Sequence, residues 1–564
     1  MSPASPPYWH LFVPKLATVF RRGYALADLR ADLVAGLTVA IVALPLAMAL
    51  AIASGTTPEK GLHTAIVAGF LISALGGSRV QIGGPTAAFI PVVFNVIEQF
   101  GYGGLILCTL LAGLMLIAAG LMRLGTLMRY MPQPVVTGFT AGIAVTIFTS
   151  QVKDLLGLPL EKLPGEFLAK WQLYFAHVGE TNPAALGLAL ACLAMILALR
   201  RWRPTWPAFL LAVIAGALAA LNLPTVATIG STFGDIPSTL PHFEFPHIPF
   251  ERTAELFPAS FTIAFLAGVE SLLSAVVADG MTGGRHRSNM ELVAQGVANC
   301  ASALCAGLPA TGAIARTATN IRAGARTPVA GMLHALILLG FMLLAAPLMR
   351  YVPFAALAAV LLIVAWNMSE IERFRYLMRA PWGDRLVLLA TFLLTVAFDL
   401  TVAIEVGVVL AAFLFMHRMS EVVAVESHVD LIEEDEDGLA EESDADQRRR
   451  LPEGVEAFRI SGPLFFAVAN RLDRVLDQFL QPPRVFILRL GYVPLIDASG
   501  AHALHDLLDR CRRLHVAVIF SGLQSQPREI LEAMGLLKHP GLAGVAVDFE
   551  AALLLARQEA TRSD

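Results

Sequence analysis

Two short segments that combine glycine, proline and small polar residues interrupt the apolar sequence, and the first is residues 81–88 (QIGGPTAA). Proline suits the first turn of a helix, so this pattern predicts a turn that leads into a short apolar helix. A helix that begins inside a membrane presents unpaired N–H groups and the positive end of its dipole, and both attract anions. We therefore interpret residues 81–88 as a candidate anion-binding segment. The alternative is an ordinary loop.

The second segment, residues 309–317 (PATGAIART), repeats this arrangement and adds a charged residue. Arg316 falls in the first turns of the helix, where a charge in hydrocarbon is unfavourable without a partner. Two helix N-termini that meet head to head, together with one guanidinium, would bind an anion. This segment, with Arg316, is therefore a candidate binding element. The alternative is a structural ion pair between Arg316 and Glu270.

Glu270 is the most isolated carboxylate of the apolar region, and Ser274 lies four residues later on the same helix face. An ionisable side chain inside a membrane is a functional candidate by default. Glu270 would carry a coupling proton, or bind sodium together with Ser274 and backbone carbonyls. It would be purely structural if it only neutralised Arg316.

The composition around these residues is that of a membrane domain followed by a soluble domain. Of the 564 residues, 56% are hydrophobic and 15% are charged. Soluble proteins contain about 25% charged residues, so a water-soluble enzyme is excluded. The net charge of -4 indicates no nucleic-acid partner, and the five scattered cysteines indicate neither disulfides nor a metal site. The sequence contains no nucleotide-binding loop, so we expect no cofactor. The energy for transport would then come from a gradient rather than from ATP bound to this chain.

Fourteen apolar segments are candidate membrane-spanning helices, although several are too short to cross alone. Arginines concentrate in the gaps after even-numbered segments, so the positive-inside rule places those gaps and both termini in the cytoplasm. The predicted domains are a cytoplasmic N-terminal segment (1–30), a transport domain (31–418), an acidic linker (419–450) and a soluble domain (451–564). The fourteen segments are residues 33–50, 62–76, 86–100, 103–122, 131–150, 182–200, 205–221, 256–279, 290–306, 313–323, 328–347, 352–367, 385–400 and 402–417.

A weak internal repeat relates the two halves of the membrane domain. Residues 129–132 (RYMP) and 350–353 (RYVP) lie 221 positions apart, and a similar offset relates the third segment to the tenth. Because a repeat of seven spans has an odd number of crossings, the two copies must be inverted. Inverted repeats with paired interrupted helices are typical of secondary transporters.

The C-terminal region alternates short strands and helices, which predicts a small α/β domain. The predicted strands are 456–461, 484–490 and 516–521, and the predicted helices are 468–479, 499–513 and 526–535. Asp497 and Ser499 fall at the start of a helix, where both residue types suit an N-cap. The functional alternative is that Ser499 is a regulatory phosphorylation or nucleotide-contact point.

Taken together, these motifs resemble the SulP (sulfate permease) family of anion transporters over nearly the whole chain. The soluble tail resembles the family's STAS domain. The segments that carry the resemblance are residues 36–39 (GLTV), 44–49 (LPLAMA), 83–86 (GGPT), 268–271 (GVES), 316–321 (RTATNI), 461–466 (SGPLFF) and 497–500 (DASG). Within the family, residues 45–52 and 365–370 are most similar to members that carry C4-dicarboxylates.

The resemblance implies an all-α membrane domain of fourteen spans in a 7+7 inverted repeat, with core and gate subdomains, plus a small cytoplasmic α/β STAS domain. It implies a homodimer in the bacterial inner membrane that transports a small anion across the lipid bilayer by elevator-type alternating access. The anion would lie between spans three and ten, at Thr86, Ala87 and Ala88 and at Ala315, Arg316 and Thr317. Leu46 departs from relatives that carry Gln or Glu at its position, which shifts the coupling role towards Glu270.

The sequence therefore predicts a secondary anion transporter, with proton-coupled uptake of sulfate or C4-dicarboxylates. The alternatives are a transporter or channel for bicarbonate or another inorganic anion, and a membrane sensor linked to the STAS domain. A nucleobase permease shares the 7+7 plan, but the STAS domain and Arg316 argue against it.

Overall fold

A computed structural model describes most of the chain and divides it into two compact units, residues 1–411 and 412–564. The first unit is helical and the second is built on a β-sheet. The described residues are 11–126, 131–160, 163–203, 206–234, 250–398, 400–422, 424–427, 451–452, 454–465 and 482–562.

Helices account for almost all regular structure in the described part of the first unit, and the last of them continues into the second unit. In chain order they are α1 (Lys15–Arg22), α2 (Leu26–Ala53), α3 (Pro58–Leu75), α4 (Ile90–Leu121), α5 (Gln133–Leu156), α6 (Phe167–His177), α7 (Pro183–Trp202), α8 (Ala208–Ala220), α9 (Ile229–Phe233), α10 (Thr253–Thr282), α11 (Ser288–Leu304), α12 (Ile314–Arg322), α13 (Val329–Met349), α14 (Phe354–Met368), α15 (Ile371–Leu377), α16 (Trp382–Ala397) and α17 (Leu400–Val422).

Each of the fourteen predicted segments coincides with helical structure. Among the described residues, eight helices are long and apolar enough to cross a membrane by length and composition. The count of fourteen crossings stays a prediction. Helix α4 joins the third and fourth predicted spans and is interrupted at Gly101, where φ is 68°. Glycine adopts such a conformation without steric strain, so the chain can turn there between two helical halves.

The helices pack in two groups. In one group, α11 packs on α4, α13 packs on both α2 and α3, and α10 contacts α4 and α12. In the other, α5 packs against α14 and α16, and α7 packs against α8 and α14. The candidate site residues belong to the first group.

Two very short strands lie directly before the helical segments that lead into α4 and α12, and they pair with each other. Strand β1 (Gly83–Gly84) pairs antiparallel with β2 (Thr311–Gly312), so that Gly83 faces Gly312 and Gly84 faces Thr311. The N–H of Ala313 also donates to the Ile82 carbonyl at 2.8 Å. The backbone hydrogen bonds of these two turns are therefore made to each other, which satisfies polar groups that hydrocarbon could not.

Glycine is required at this crossing because the side chains around it leave no space. A Cβ atom on Gly312 would overlap the Gln81 side chain, and one on Gly83 would overlap Ile72. The two segments predicted as half-helix entrances thus meet directly, across a sequence separation of more than 200 residues.

The second unit contains a five-stranded sheet in the order β3 (Ala424–Ser427), β4 (Val455–Ser461), β5 (Val485–Tyr492), β6 (Ala517–Ser521) and β7 (Leu542–Ala546). Strand β3 is antiparallel to β4, and the remaining neighbours are parallel. The described helices of this unit beyond α17 are α18 (Ala498–Arg513), α19 (Ser525–Ala533) and α20 (Phe549–Arg562). Apolar clusters cover both faces of the sheet, as a parallel sheet requires.

Three features of this unit differ from the sequence prediction. Strand β3 falls within residues 419–450, the stretch predicted to be a linker, and the sequence did not predict β7 or α20. Strand β3 was missed because an edge strand of four residues next to an acidic block carries little periodicity. The predicted helix 468–479 lies outside the described residues.

Candidate functional site

Two half-helix entrances lie on either side of the β1–β2 crossing. Thr86 has an extended backbone and precedes a 3-10 turn that continues into α4, and Ala313 has an extended backbone directly before α12. Ala87 and Ala88 are buried, whereas Ala315 is exposed. The first N–H groups of a helix have no partner within it, so these entrances present donors for an anion.

Arg316 lies against this crossing and is almost completely buried, with 3% of its surface exposed. Its Nη2 donates to the Pro85 carbonyl at 2.6 Å. Its Nε and Nη1 atoms have no hydrogen-bond partner. A Cβ atom on Gly84 would lie 2.5 Å from Nη1, so the guanidinium packs directly on the β1 backbone. A buried cation with unpaired donors is unfavourable unless an anion or water satisfies it, which makes this the expected electrostatic centre of an anion site.

Glu270 on α10 reaches the other half-helix. Its Oε2 accepts a hydrogen bond from the Thr86 hydroxyl at 3.1 Å. Glu270 and Arg316 form no ion pair, so the alternative in which the two residues only neutralise each other is not supported. Both charged groups are instead bonded to adjacent residues of the segment after β1, Glu270 to Thr86 and Arg316 to Pro85.

Ser274, one helical turn after Glu270, contacts α12 rather than Glu270. Its hydroxyl lies 3.1 Å from the Thr317 hydroxyl, which in turn accepts from the Ile82 N–H at 3.1 Å. Ser274 and Thr317 are fully buried. Helix α10 therefore contacts both half-helices. Glu270 bonds to Thr86 before α4, and Ser274 contacts Thr317 on α12. The predicted roles of Ser274 in coupling and of Thr317 in anion binding stay predictions.

Glu291 is a buried polar residue at this site that sequence reasoning missed. The Glu291 carboxylate on α11 is fully buried and accepts from the N–H groups of Gly77 and Ser78, at 2.8 and 3.1 Å. It also accepts from the Ser271 hydroxyl at 3.2 Å and from the Gln295 amide at 3.0 Å. The sequence signal was a carboxylate inside the ninth predicted apolar segment. The network fixes the turn that leads into β1 against α10 and α11.

Gln81 extends this network to the crossing. Its Nε2 donates to both the carbonyl and the hydroxyl of Ser271 at 3.1 Å, while its Oε1 has no partner. His334 on α13 is also fully buried, and neither of its ring nitrogens forms a hydrogen bond. Gln81, His334 and Arg316 therefore all carry buried polar atoms without a hydrogen-bond partner, as expected near a site that holds water or an ion.

A cavity of about 1070 Å³ comes close to the start of α4. It reaches Ile90 and Pro91, and its polar lining includes Glu98, Lys153 and Lys170. Burial lowers the pKa of Lys170 below its usual value, and the nearby Glu98 carboxylate opposes this shift. The cavity is large enough to admit a small hydrated anion to the vicinity of the half-helix entrance.

In the sheet unit, Asp497 is the N-cap of α18, and its carboxylate accepts from the Gly500 N–H at 2.7 Å. Ser499 is exposed in the first turn of this helix and does not cap it. The capping prediction is therefore correct for Asp497, and the Ser499 hydroxyl faces solvent.

One cluster in the same unit has the composition of a metal site. The potential ligand atoms of His505, Asp509 and His539 lie within 4.8 Å of one another. However, His539 Nδ1 accepts from the Gly541 N–H at 3.1 Å, which leaves the proton of the neutral ring on Nε2. That Nε2 faces Asp509 at 3.2 Å. With its hydrogen on the nitrogen that faces Asp509, His539 is not arranged as a metal ligand.

Comparison with known proteins identifies both units. Residues 29–391 match the model of the sulfate permease family, and residues 449–546 match that of the STAS domain. "Putative sulfate transporter YvdB" of Bacillus subtilis is 42% identical over 92% of this chain and 96% of its own. "Bicarbonate transporter BicA" of Synechocystis is 30% identical over 91% of both chains. These relatives are named as sulfate and bicarbonate transporters, so the predicted similarity to C4-dicarboxylate carriers is not confirmed.

Solved structures agree with this fold. The murine Solute Carrier 26 family member A9 anion transporter superposes with a TM-score of 0.85 over 99% of this chain and 96% of its own, at 17% identity. The transmembrane domain of a cyanobacterial BicA superposes with a TM-score of 0.60 over 68% of this chain and 98% of its own, at 29% identity. The chain therefore belongs to the sulfate permease family of multi-pass membrane anion transporters, with a STAS domain at its C-terminal end.

Proposed function

We propose that this protein takes up a divalent oxyanion, sulfate in the first place, together with a proton. The observation that carries the proposal is the buried Arg316 guanidinium, which is fixed to the Pro85 carbonyl at 2.6 Å while its Nε and Nη1 atoms stay unpartnered. The 42% identical relative named as a sulfate transporter supports sulfate over other oxyanions.

The anion would lie between the two half-helix entrances. The first N–H groups of the helices that follow Thr86 and Ala313 would donate to its oxygens, and Arg316 would contribute the full positive charge. Two partial charges of about +0.5 each and one guanidinium balance a double negative charge better than a single one. This charge balance favours sulfate or a C4-dicarboxylate over bicarbonate, although the 30% identical relatives are named for bicarbonate.

Glu270 would carry the coupled proton. Its carboxylate accepts one hydrogen bond, from Thr86, and has no cationic partner among the described residues. Protonation would remove a negative charge beside the entrance just when the anion arrives, so binding of the proton and of the anion would favour each other. Both would then cross together by elevator movement of the helix group that contains α10 and α12.

Several further assignments belong to the same proposal. The functional unit is a homodimer in the bacterial inner membrane, with both termini in the cytoplasm. The STAS domain organises or regulates this dimer, and Ser499 is its regulatory position. A phosphate on Ser499 would lie in the first turn of α18, where the helix dipole stabilises negative charge.

The test is uptake of labelled sulfate, succinate and bicarbonate into proteoliposomes, with and without an inward proton gradient. We expect sulfate uptake that the gradient stimulates. Arg316→Ala should abolish it, and Arg316→Lys should restore little, because an ammonium cannot reach the Pro85 carbonyl and the anion with the same fork of donors. Glu270→Gln should leave uptake insensitive to the gradient.

Arg322→Gln is the matched control for Arg316, because Arg322 lies on the same helix but is exposed. Its uptake should equal that of the wild type. Flux that ignores the gradient and survives Glu270→Gln would indicate a channel. No flux from any variant, with or without residues 421–564, would indicate a sensor. Equal uptake by Arg316→Ala and the wild type would refute the site.

A further inference from the structure

A patch of basic side chains lies at one end of the membrane unit, where α1 meets two loops. The patch consists of Lys15 and Arg22 from α1, Arg79 from the turn before β1, and Arg287 at the start of α11. Arg22 and Arg79 are exposed, and Lys15 is partly exposed. Three of these charges from two chain segments thus reach the surface, whereas Arg287 is buried with 9% of its surface exposed.

Hydrogen bonds hold α1 firmly against these loops. The Lys15 N–H donates to the Gly76 carbonyl at 3.0 Å, and Lys15 Nζ donates to the Arg285 carbonyl at 2.6 Å. Arg287 Nη1 donates to the Val13 carbonyl at 2.6 Å. The patch is therefore a built surface whose charges are kept close together, and not a set of independent flexible side chains.

The charges of the patch repel one another, and the nearby Asp279 carboxylate offsets the repulsion on Lys15 only in part. Burial, together with repulsion from Arg287, Arg79 and Arg22, holds the pKa of Lys15 below its usual value. Arg22 and Arg79 have no acidic partner among the residues that the structure describes. The nearby Asp279 carboxylate is already bonded to the His286 ring at 2.7 Å. Residues 1–10 contain no Asp or Glu that would supply a counter-charge.

An exposed apolar stripe begins directly beside the patch. Leu26, Leu29, Leu33 and Leu37 of α2 follow the spacing of one helix face and are between 37% and 64% exposed. Helix α2 is long and apolar enough to span a membrane, so this stripe faces hydrocarbon. Arg22, four residues before the stripe, then lies at the level of the lipid headgroups.

We propose that this basic patch binds the headgroup of an anionic phospholipid, whose acyl chains lie along the leucine stripe of α2. Phosphate oxygens accept hydrogen bonds from guanidinium groups, and a phosphodiester supplies a negative charge to Arg22 and Arg79. A free inorganic anion would satisfy the charges but not the adjacent apolar surface. Because α1 is bonded to the turn that leads into β1, a bound lipid would also stabilise one entrance of the transport site.

The experiment uses the full chain in phosphatidylcholine nanodiscs that contain a minor fraction of phosphatidylglycerol. Either lipid carries a photoactivatable group on its acyl chain, and cross-links to residues 15–37 are mapped by mass spectrometry. Each basic residue near a membrane surface contributes about 1 kcal/mol to binding of anionic lipid. We therefore expect Arg22 and Arg79 together to favour cross-linking of phosphatidylglycerol over phosphatidylcholine by roughly ten- to thirtyfold at equal concentration, and Arg22→Gln/Arg79→Gln to lose this factor.

The matched control is Arg375→Gln/Arg379→Gln, which removes two exposed arginines from another part of the same unit. It should retain the preference. Equal cross-linking of the two lipids by the wild type would overturn the proposal, as would an unchanged preference in the Arg22→Gln/Arg79→Gln variant. Loss of phosphatidylglycerol cross-links on addition of millimolar inorganic phosphate, at constant ionic strength, would assign the patch to a soluble anion instead.

Discussion

Replacing Glu291 by glutamine tests whether the β1 turn depends on a buried negative charge. The two carboxylate oxygens of Glu291 have separate partners. Oε2 accepts from the N–H groups of Gly77 and Ser78, and Oε1 accepts from Ser271 and Gln295. Every partner is arranged as a donor. An amide at this position keeps one acceptor but presents an NH₂ group to donors on its other side.

The magnitude follows from these four contacts. A hydrogen bond to a charged group contributes about 1.5–3 kcal/mol, and a neutral one contributes about 1 kcal/mol. If the glutamine oxygen keeps its hydrogen bonds to the Gly77 and Ser78 N–H groups, these two bonds become bonds to a neutral acceptor. The glutamine NH₂ group then faces Ser271 and Gln295, and at least one of these donors is left without an acceptor. We expect Glu291→Gln to lower the free energy of unfolding by about 2–3 kcal/mol. Glu291→Ala should cost about 3–5 kcal/mol, because it leaves buried N–H groups unpaired.

The assay is unfolding by SDS titration in mixed micelles, with sulfate uptake measured in parallel. Glu255→Gln is the control, because Glu255 on α10 forms an exposed ion pair with Arg252 at 2.7 Å. This variant should lower the free energy of unfolding by less than about 1 kcal/mol. If Glu291 positions the site, Glu291→Gln should also raise the KM for the anion more than it lowers the maximal rate. If Glu291→Gln is as stable as the control Glu255→Gln, this reasoning is refuted.

Three further predictions concern the crossing, the coupling contact and the tail. Gly84→Ala should reduce uptake roughly tenfold to a hundredfold in a folded protein, because its Cβ would lie 2.5 Å from Arg316 Nη1. In a double-mutant cycle of apparent transport efficiency, Thr86→Val and Glu270→Gln should show a coupling of about 1.5–3 kcal/mol, because they share a hydrogen bond. Asp497→Ala should destabilise α18 by about 1 kcal/mol, measured by amide hydrogen exchange in the full chain.

Each of these has a contrary outcome. Gly84→Ala with wild-type uptake would show that the guanidinium is free to move away from the β1 backbone. Additive effects of Thr86→Val and Glu270→Gln would show that their hydrogen bond has no role in transport. Unchanged exchange in α18 would mean that another group caps the helix after Asp497→Ala.

The main features of the site could be predicted from the sequence because the membrane makes polar residues conspicuous. Arg316 and Glu270 stand out against apolar neighbours, since an ionisable group in hydrocarbon requires a specific reason. Glycine and proline mark the two turns for the same cause: non-helical backbone at membrane depth must be satisfied by protein. The internal repeat paired the third and tenth segments, and the resemblance to a family then implied the 7+7 fold.

The sequence could not reveal which residues satisfy each other across long separations. Glu291 accepts from Gly77, which lies 214 residues earlier, and no local pattern marks such a pair. Strands β1 and β2 have two residues each, too short for any alternation to be visible. The periodicity that identifies helices also said nothing about which hydroxyl of α10 would meet α12.

The way the crossing is bonded bears on how the site can move. Thr86 donates to Glu270, Ile82 donates to Thr317, and Arg316 donates to Pro85, so polar groups of each half are satisfied by the other half. Separating the halves would break all three contacts at once, and each buried polar group left unsatisfied costs about 1–3 kcal/mol. A transport movement that pulls the two half-helices apart is therefore unfavourable. Alternating access that carries both half-helices as one body keeps every contact, and this supports an elevator movement over a rocking of one half against the other.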